Sequence, residues 1–176
     1  MGVAISDASG QPRTHTGVPA DGGTALVTAL IAHPCPIERA ALRAALDADD
    51  RIRVVAIAGD GDEAVALTHR LRPAVVLLDD QLGTPEGGLV RALAQHAGVL
   101  ALTRATERRA ITALLRAPVR GCLVYGQIEG ADLHRAVRAV AAGLGWLSPV
   151  AVAAASFELR ARTRRTGQPG PAYQGS

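Results

Sequence analysis

The chain has 176 residues, enough for one domain of ordinary size with tails, and its hydrophobic content of 48% can form a core although aromatic residues make up only 2%. No apolar run approaches the roughly 18 residues of a membrane span, and the start has no apolar segment typical of a secretory signal, so we predict a cytoplasmic protein that contacts no membrane. The net charge of +3 comes entirely from the last 21 residues, because residues 1–155 hold equal numbers of Arg and Asp+Glu, and we therefore expect no basic face for nucleic acid.

Apolar runs and amphipathic helical patterns alternate along the chain. Strands are predicted at 24–33, 52–59, 74–78, 98–103 and 121–125, and helices at 36–48, 62–72, 87–97, 107–117 and 131–143. The strands are continuously apolar rather than alternating, so we expect helices on both faces of the sheet. The pattern predicts an α/β protein with a doubly wound, five-stranded parallel sheet at 25–149. Residues 1–24 and 166–176 have the composition of disordered tails, and 150–165 predicts a short helical extension.

Polar residues gather where these strands end. In such sheets ligands bind at the carboxyl ends of the strands. The stretch "VVLLDD" ends on two adjacent carboxylates, Asp79 and Asp80, and the other strand ends carry His33 and Pro34, Thr103 and Arg104, and Tyr125. We therefore expect any site to lie at this edge.

The sequence "GDGDEA" matches a dinucleotide-binding pattern, with Asp79 at the spacing of a ribose-binding acid. Its chemistry opposes that function. Asp60, Asp62 and Glu63 would repel a pyrophosphate from the helix end that should bind it. They are better explained as acids that stabilise the first turn of a helix.

The span from about Ala29 to Val150 resembles the receiver domain of bacterial response regulators. The similarity is strongest over "AGDGDEAVALTHRLRPAVVLLD", and "VLALT" and "GCLVY" with "LHRAVRAVAAGLGWLSP" continue it. The subfamily is the LuxR/FixJ type, which carries a C-terminal helix-turn-helix. The resemblance implies a flavodoxin-like, three-layer αβα fold, a role in two-component signalling and no enzymatic activity.

By this resemblance Asp79 occupies the phosphoacceptor position and Thr103 the switch position. Receivers hold Mg²⁺ with an acidic pair after the first strand and stabilise the acyl phosphate with a Lys after the fifth strand. Here His33 and Pro34 stand at the positions of the acids, and Tyr125 stands at the position of the Lys. The chain contains no Lys at all, since every basic residue is Arg.

These departures predict an atypical receiver that does not depend on phosphorylation. Proline offers no side-chain ligand, and neutral imidazole matches Mg²⁺ poorly compared with carboxylate. We therefore expect no cofactor and no catalytic residue. For Asp79 we favour a strand-end carboxylate paired with Arg104. A transition-metal site on His33 and Asp79 would lack a clear third ligand, with Cys35 a weak candidate.

The family's output module should begin after "GWLSP", but only 27 residues follow Pro149 and they carry no helix-turn-helix pattern. We thus do not expect this chain to bind DNA directly. Three hypotheses remain for its function. The first is a pseudo-receiver that pairs with itself or with a full-length regulator in transcription regulation. The second is a small-ligand sensor that uses the cleft near Asp79, Thr103 and Tyr125. The third is a conventional phospho-accepting receiver of a phosphorelay, or a truncated LuxR-type regulator.

Overall fold

The structure is a computed structural model that describes residues 25–83 and 87–166. The predicted tail at 1–24 and the predicted tail at 166–176, apart from Thr166, lie outside these residues. Within the described part no helix is both long enough and apolar enough to cross a membrane.

Six strands alternate with six helices in the part of the chain that the structure describes. The strands are β1 (Val27–Ala32), β2 (Ile52–Ala58), β3 (Val75–Asp79), β4 (Gly98–Thr103), β5 (Gly121–Val124) and β6 (Trp146–Leu147). The helices are α1 (Pro36–Asp47), α2 (Gly61–Leu71), α3 (Gly88–Ala94), α4 (Arg108–Arg116), α5 (Gly130–Ala141) and α6 (Pro149–Thr166), and a single 3₁₀ turn (Asp80–Leu82) follows β3.

The strands form one parallel sheet in the order β2-β1-β3-β4-β5-β6. The first five strands have the flavodoxin-like order that the sequence predicted. The predicted number of five strands is wrong, because Trp146 and Leu147 pair with Gly121 and Cys122 as a sixth. A two-residue strand is too short to produce a periodic pattern in the sequence.

Successive strand residues point to opposite faces of the sheet and so fill two separate cores. Odd-numbered residues of β1 and β3, such as Ile31 and Leu77, pack with α1 and α5, and even-numbered ones, such as Leu30 and Val76, pack with α2 and α3. Both faces of the sheet are therefore covered, as continuous apolar strands require.

A third cluster joins α4, α6 and the outer part of the sheet. Ala151 and Ala154 of α6 are buried against Ile111 of α4 and against Cys122 and Val124 of β5. The predicted helical extension at 150–165 thus coincides with a helix that lies against the domain, and the proposed domain limits themselves stay a prediction.

The acids of "GDGDEA" cap α2. Asp60 accepts a hydrogen bond from the Glu63 backbone N–H at 2.8 Å, and the Glu63 carboxylate accepts from the Gly59 N–H at 2.8 Å. This arrangement is similar to a capping box, except that the Glu63 carboxylate accepts from the residue before the N-cap. It accounts for the acidic residues without a nucleotide.

Candidate functional site

The strand alternation decides which predicted site residues meet. His33, Asp79 and Tyr125 continue the parity of Ile31, Leu77 and Leu123, whose side chains pack in the core under α1 and α5. Thr103 has the opposite parity to Leu102. These four positions therefore divide between the two sides of the sheet edge.

His33 and Asp79 lie in direct contact at this edge. The imidazole Nε2 is 3.1 Å from Asp79 Oδ2, and the two side chains are 1% and 0% exposed. His33 Nδ1 accepts a hydrogen bond from the Cys35 backbone N–H at 3.0 Å. In a neutral imidazole this places the ring proton on Nε2, so an N–H group faces the carboxylate.

The contact between these two atoms is close but poorly aligned. Neither His33 Nε2 nor Asp79 Oδ2 has a hydrogen-bond partner of acceptable geometry, although each is buried. Asp79 Oδ1, in contrast, accepts from the Gln81 N–H at 3.0 Å. Asp79 is thus held by the turn after β3 on one oxygen and faces the histidine with the other.

Glu38 in the first turn of α1 forms a second layer around His33. Its Oε2 lies 3.4 Å from His33 Nε2, and its Oε1 pairs with the Arg104 guanidinium. Arg39 donates to the backbone carbonyls of His33 and Pro34 at 2.8 and 3.1 Å. These contacts fix the segment between β1 and α1 that supplies the histidine.

The expected pair between Asp79 and Arg104 is therefore replaced by two other pairs. Arg104 is 54% exposed and pairs with the partly exposed Glu38, whereas Asp79 is paired with His33. A guanidinium that reached the fully buried carboxylate would have to lose its hydration, which costs several kcal/mol. Glu38 offers Arg104 a carboxylate at the surface.

Tyr125 packs over this cluster. Its ring makes an edge contact with His33 at a centroid distance of 6.3 Å, and the Arg104 guanidinium lies 4.7 Å from the ring centroid. Burial raises the pKa of the Tyr125 phenol, and the carboxylates of Asp79 and Glu38 raise it further. Its hydroxyl is buried without a hydrogen-bond partner among the described residues. The phenol is therefore neutral at physiological pH.

Thr103 and Asp80 pair on the other side of the edge. The Thr103 hydroxyl donates to Asp80 Oδ2 and accepts from the Ala105 N–H at 3.0 Å. The sequence analysis gave Asp80 no role. Asp80 has the opposite parity to Asp79, so it lies on the side of the sheet edge that Thr103 occupies.

The side-chain atoms around Asp79 that could coordinate a metal ion do not fit Mg²⁺. Of the side chains around Asp79, His33 turns a protonated nitrogen toward it, Pro34 has no donor, and Glu38 is paired with Arg104. A metal on His33 Nε2 would need that nitrogen free of its proton, which the Cys35 N–H bond to Nδ1 opposes. Within the described residues no group of three His, Cys, Asp or Glu side chains is placed to hold a metal ion.

Sequence reasoning missed Glu38 and the pairing of Asp80. Glu38 was visible only as an acid in the first turn of a helix that begins next to His33. Its contact with Arg104 joins α1 to the segment after β4, which are 66 residues apart. Only the order of strands in the sheet brings them together.

Several solved structures that match this fold are response regulators. The response regulator ChrA of a heme-sensing two-component system is 32% identical, with 83% of this chain and 68% of that chain covered and a TM-score of 0.62. A LuxR-family two-component response regulator from Aurantimonas sp. SI85-9A1 is 24% identical over 77% of this chain and 99% of its own, with a TM-score of 0.69. The isolated REC domain of RcsB from Salmonella enterica serovar Typhimurium is 19% identical over 73% and 97%, with a TM-score of 0.62.

The similarity extends over part of the longer relatives. The chain covers 65% of the RcsB response regulator from Salmonella typhimurium. No protein-family model matches the chain, and no curated protein matches it.

Proposed function

We propose, from the premise that the chain belongs to the response-regulator receiver family, that it is a pseudo-receiver. It acts by protein–protein interaction in transcription regulation, and its state does not depend on phosphorylation of Asp79. The partner is a second copy of the chain or a full-length response regulator. The chain catalyses no reaction and uses no cofactor.

The contact between His33 and Asp79 carries this proposal. His33 Nε2 lies 3.1 Å from the Asp79 carboxylate, and the resemblance puts His33 at a position where the family has a metal-binding acid. Both side chains are buried, so a phosphoryl donor would have to displace the histidine before it reached Asp79. Displacement would leave a carboxylate uncompensated in a buried site, which is unfavourable.

The positive charge that should stabilise an acyl phosphate is also missing from its usual position. Tyr125 replaces the lysine, and its raised pKa keeps the phenol neutral. The nearest guanidinium, Arg104, is engaged with Glu38 and with the Tyr125 ring. An incoming phosphoryl group carries a charge of about −2. It would meet the carboxylates of Asp79 and Glu38, and no unpaired cation among the residues of this cluster.

The residue at the switch position, Thr103, is also held by hydrogen bonds. Thr103 donates its hydroxyl to Asp80, and the same oxygen accepts the Ala105 N–H. A hydroxyl committed to a charged acceptor contributes roughly 1.5–3 kcal/mol. This bond supports a domain held in one state.

The test uses beryllofluoride, or acetyl phosphate with Mg²⁺, on the full chain. We expect no shift in the amide NMR signals around Asp79 and Thr103 and no added phosphoryl mass. The variant Asp79→Asn provides the functional control, because regulation in cells should survive it. Mg²⁺-dependent shifts at these residues together with loss of regulation in Asp79→Asn would establish the conventional phospho-accepting receiver instead.

A cavity favours small-ligand sensing as a second candidate function. It measures about 310 Å³ and lies between α3 and α4, within the size range of ligand pockets. Its lining is mostly apolar, with Leu78, Val90 and Leu114 among the walls, and it includes Asp80. A ligand bound there would act on the Thr103–Asp80 bond. Thermal-shift screening of metabolites tests this function, with Leu114→Trp as a variant that fills the cavity.

A further inference from the structure

Four exposed arginines lie along the contact between α4 and α6. The neutral total charge of residues 1–155 concealed this, because three of the arginines belong to that span and the fourth to the basic C-terminal segment. Since α6 packs along α4, the fourth arginine lies in the same groove as the other three. We call this surface the arginine face, and its members are Arg108, Arg109, Arg116 and Arg162.

A groove between the two helices runs along this face. One part of the groove is lined by Arg108, Arg109 and Phe157, and the adjoining part by Leu115, Ala155, Leu159 and Arg162. Thr112, Arg116 and Glu158 line both parts, so the two form one continuous channel.

The charge in the groove is strongly unbalanced. Glu158 is shared by Arg116 at 3.3 Å and Arg162 at 3.6 Å. The remaining acid next to α4 is Glu107 at its N-terminus. Arg108 and Arg109 have no carboxylate within ion-pair distance among the described residues. The face thus presents several positively charged guanidinium groups on two packed helices.

We propose that the arginine face binds the phosphodiester backbone of a nucleic acid without reading its bases. A guanidinium matches phosphate geometry with two parallel N–H bonds. Charge of one sign that is concentrated on one face is the electrostatic signature of such binding. The only phenylalanine of the chain, Phe157, is 50% exposed there and has the Arg108 guanidinium 3.8 Å from its ring centroid. Aromatic rings beside arginines are what unpaired bases stack on.

An acidic protein segment is the competing occupant. The exposed Leu159 and Val152 on α6 would suit a protein partner. The excess of positive charge along both helices favours a polyanion with evenly spaced charges, because a folded protein surface interleaves both signs.

The test measures binding of the full chain to a fluorescent single strand and a fluorescent duplex of arbitrary sequence, each about 20 nucleotides long, by anisotropy. We expect dissociation constants in roughly the micromolar range at low salt and a steep loss of affinity as salt rises. Binding of either the single strand or the duplex supports the proposal. Absence of binding to both at about 50 mM salt contradicts it.

Two variants of equal net charge locate the contact. The first, Arg108→Gln with Arg109→Gln and Arg116→Gln, should weaken binding by tenfold or more and reduce the slope of log K against log salt by about 2–3. The second replaces three exposed arginines elsewhere, Arg53, Arg70 and Arg135, with Gln and should change affinity by less than about twofold. Equal losses in the two variants would overturn the proposal.

Competition separates nucleic acid from an acidic protein. Unlabelled DNA should displace the probe at a lower charge concentration than polyglutamate. If polyglutamate competes equally well, the face is a general site for acidic chains and the proposal is wrong. Circular dichroism confirms that each variant is folded, as expected for exposed substitutions. The outcome is independent of Asp79, since Asp79→Asn leaves every member of the face unchanged.

Discussion

His33 and Asp79 form a buried contact in which an imidazole nitrogen lies 3.1 Å from a carboxylate oxygen. The histidine ends β1 and the aspartate ends β3, which are neighbours in the sheet. His33 Nδ1 accepts a hydrogen bond from the Cys35 N–H, so in the neutral imidazole the other nitrogen, Nε2, carries the proton. This proton lies beside a carboxylate that would otherwise be uncompensated.

Replacement of the histidine should therefore destabilise the fold. We expect His33→Ala to lower the free energy of unfolding by about 3 kcal/mol, because it leaves the Asp79 charge buried and opens a cavity. Urea denaturation measures the change. His69→Ala, at an exposed position on α2, is the matched control and should change stability by less than about 0.5 kcal/mol.

A double-mutant cycle tests whether the loss comes from the pair. Adding Asp79→Asn to His33→Ala removes the uncompensated charge, so part of the lost stability should return. Strictly additive effects of the two substitutions would show that the contact contributes no stability.

The Thr103–Asp80 bond gives a second prediction. Thr103→Val removes the hydroxyl that donates to Asp80 and accepts from the Ala105 N–H, and we expect a loss of roughly 2 kcal/mol. Thr106→Val changes an exposed threonine three residues away and serves as the control in the same denaturation experiment. Equal midpoints for the two variants would contradict the importance of this bond.

The fold could largely be predicted from the sequence, because apolar strands and amphipathic helices alternate with clear period. β6 could not, since its two residues are held by pairing with β5. One local signal was present. Gly121 lies opposite Trp146, and a Cβ added there would come within 2.8 Å of the Trp146 carbonyl oxygen. Such a position requires glycine, but the glycine indicates a sixth strand only once the neighbouring segment at Trp146 is known.

The location of the site could be predicted from the sequence, but the pairing of its side chains could not. All parallel strands end at the same edge, so His33, Asp79, Thr103 and Tyr125 were expected to gather there. Which side chain pairs with Asp79 depends on burial. Arg104 is more stable at the surface beside Glu38, and sequence spacing carries no information about that difference.

The two cysteines should differ sharply in reactivity. Cys122 is 0% exposed, and burial, with a smaller effect of the Asp80 carboxylate, raises the pKa of its thiol to about 11. Only the thiolate attacks a disulfide reagent. At pH 8 we expect one thiol, Cys35, to react with an aromatic disulfide reagent in the folded protein and both to react in urea. The variant Cys35→Ser should then show no reaction until it unfolds, and rapid labelling of its folded form would contradict the buried position of Cys122.

Restoring the family's residues should restore the missing chemistry. The variant His33→Asp with Pro34→Asp and Tyr125→Lys supplies two metal-binding carboxylates and one cation around Asp79, which are the groups that this chain lacks compared with its family. We expect it to gain Mg²⁺-dependent phosphorylation by acetyl phosphate, detectable as added mass that alkaline hydroxylamine removes, whereas the original chain gains none. Adding Asp79→Asn to the triple variant should abolish the modification. Tyr125→Lys alone should have little effect, because His33 still faces the carboxylate. Phosphorylation of the original chain to the same extent as the triple variant would show that His33, Pro34 and Tyr125 do not prevent the reaction.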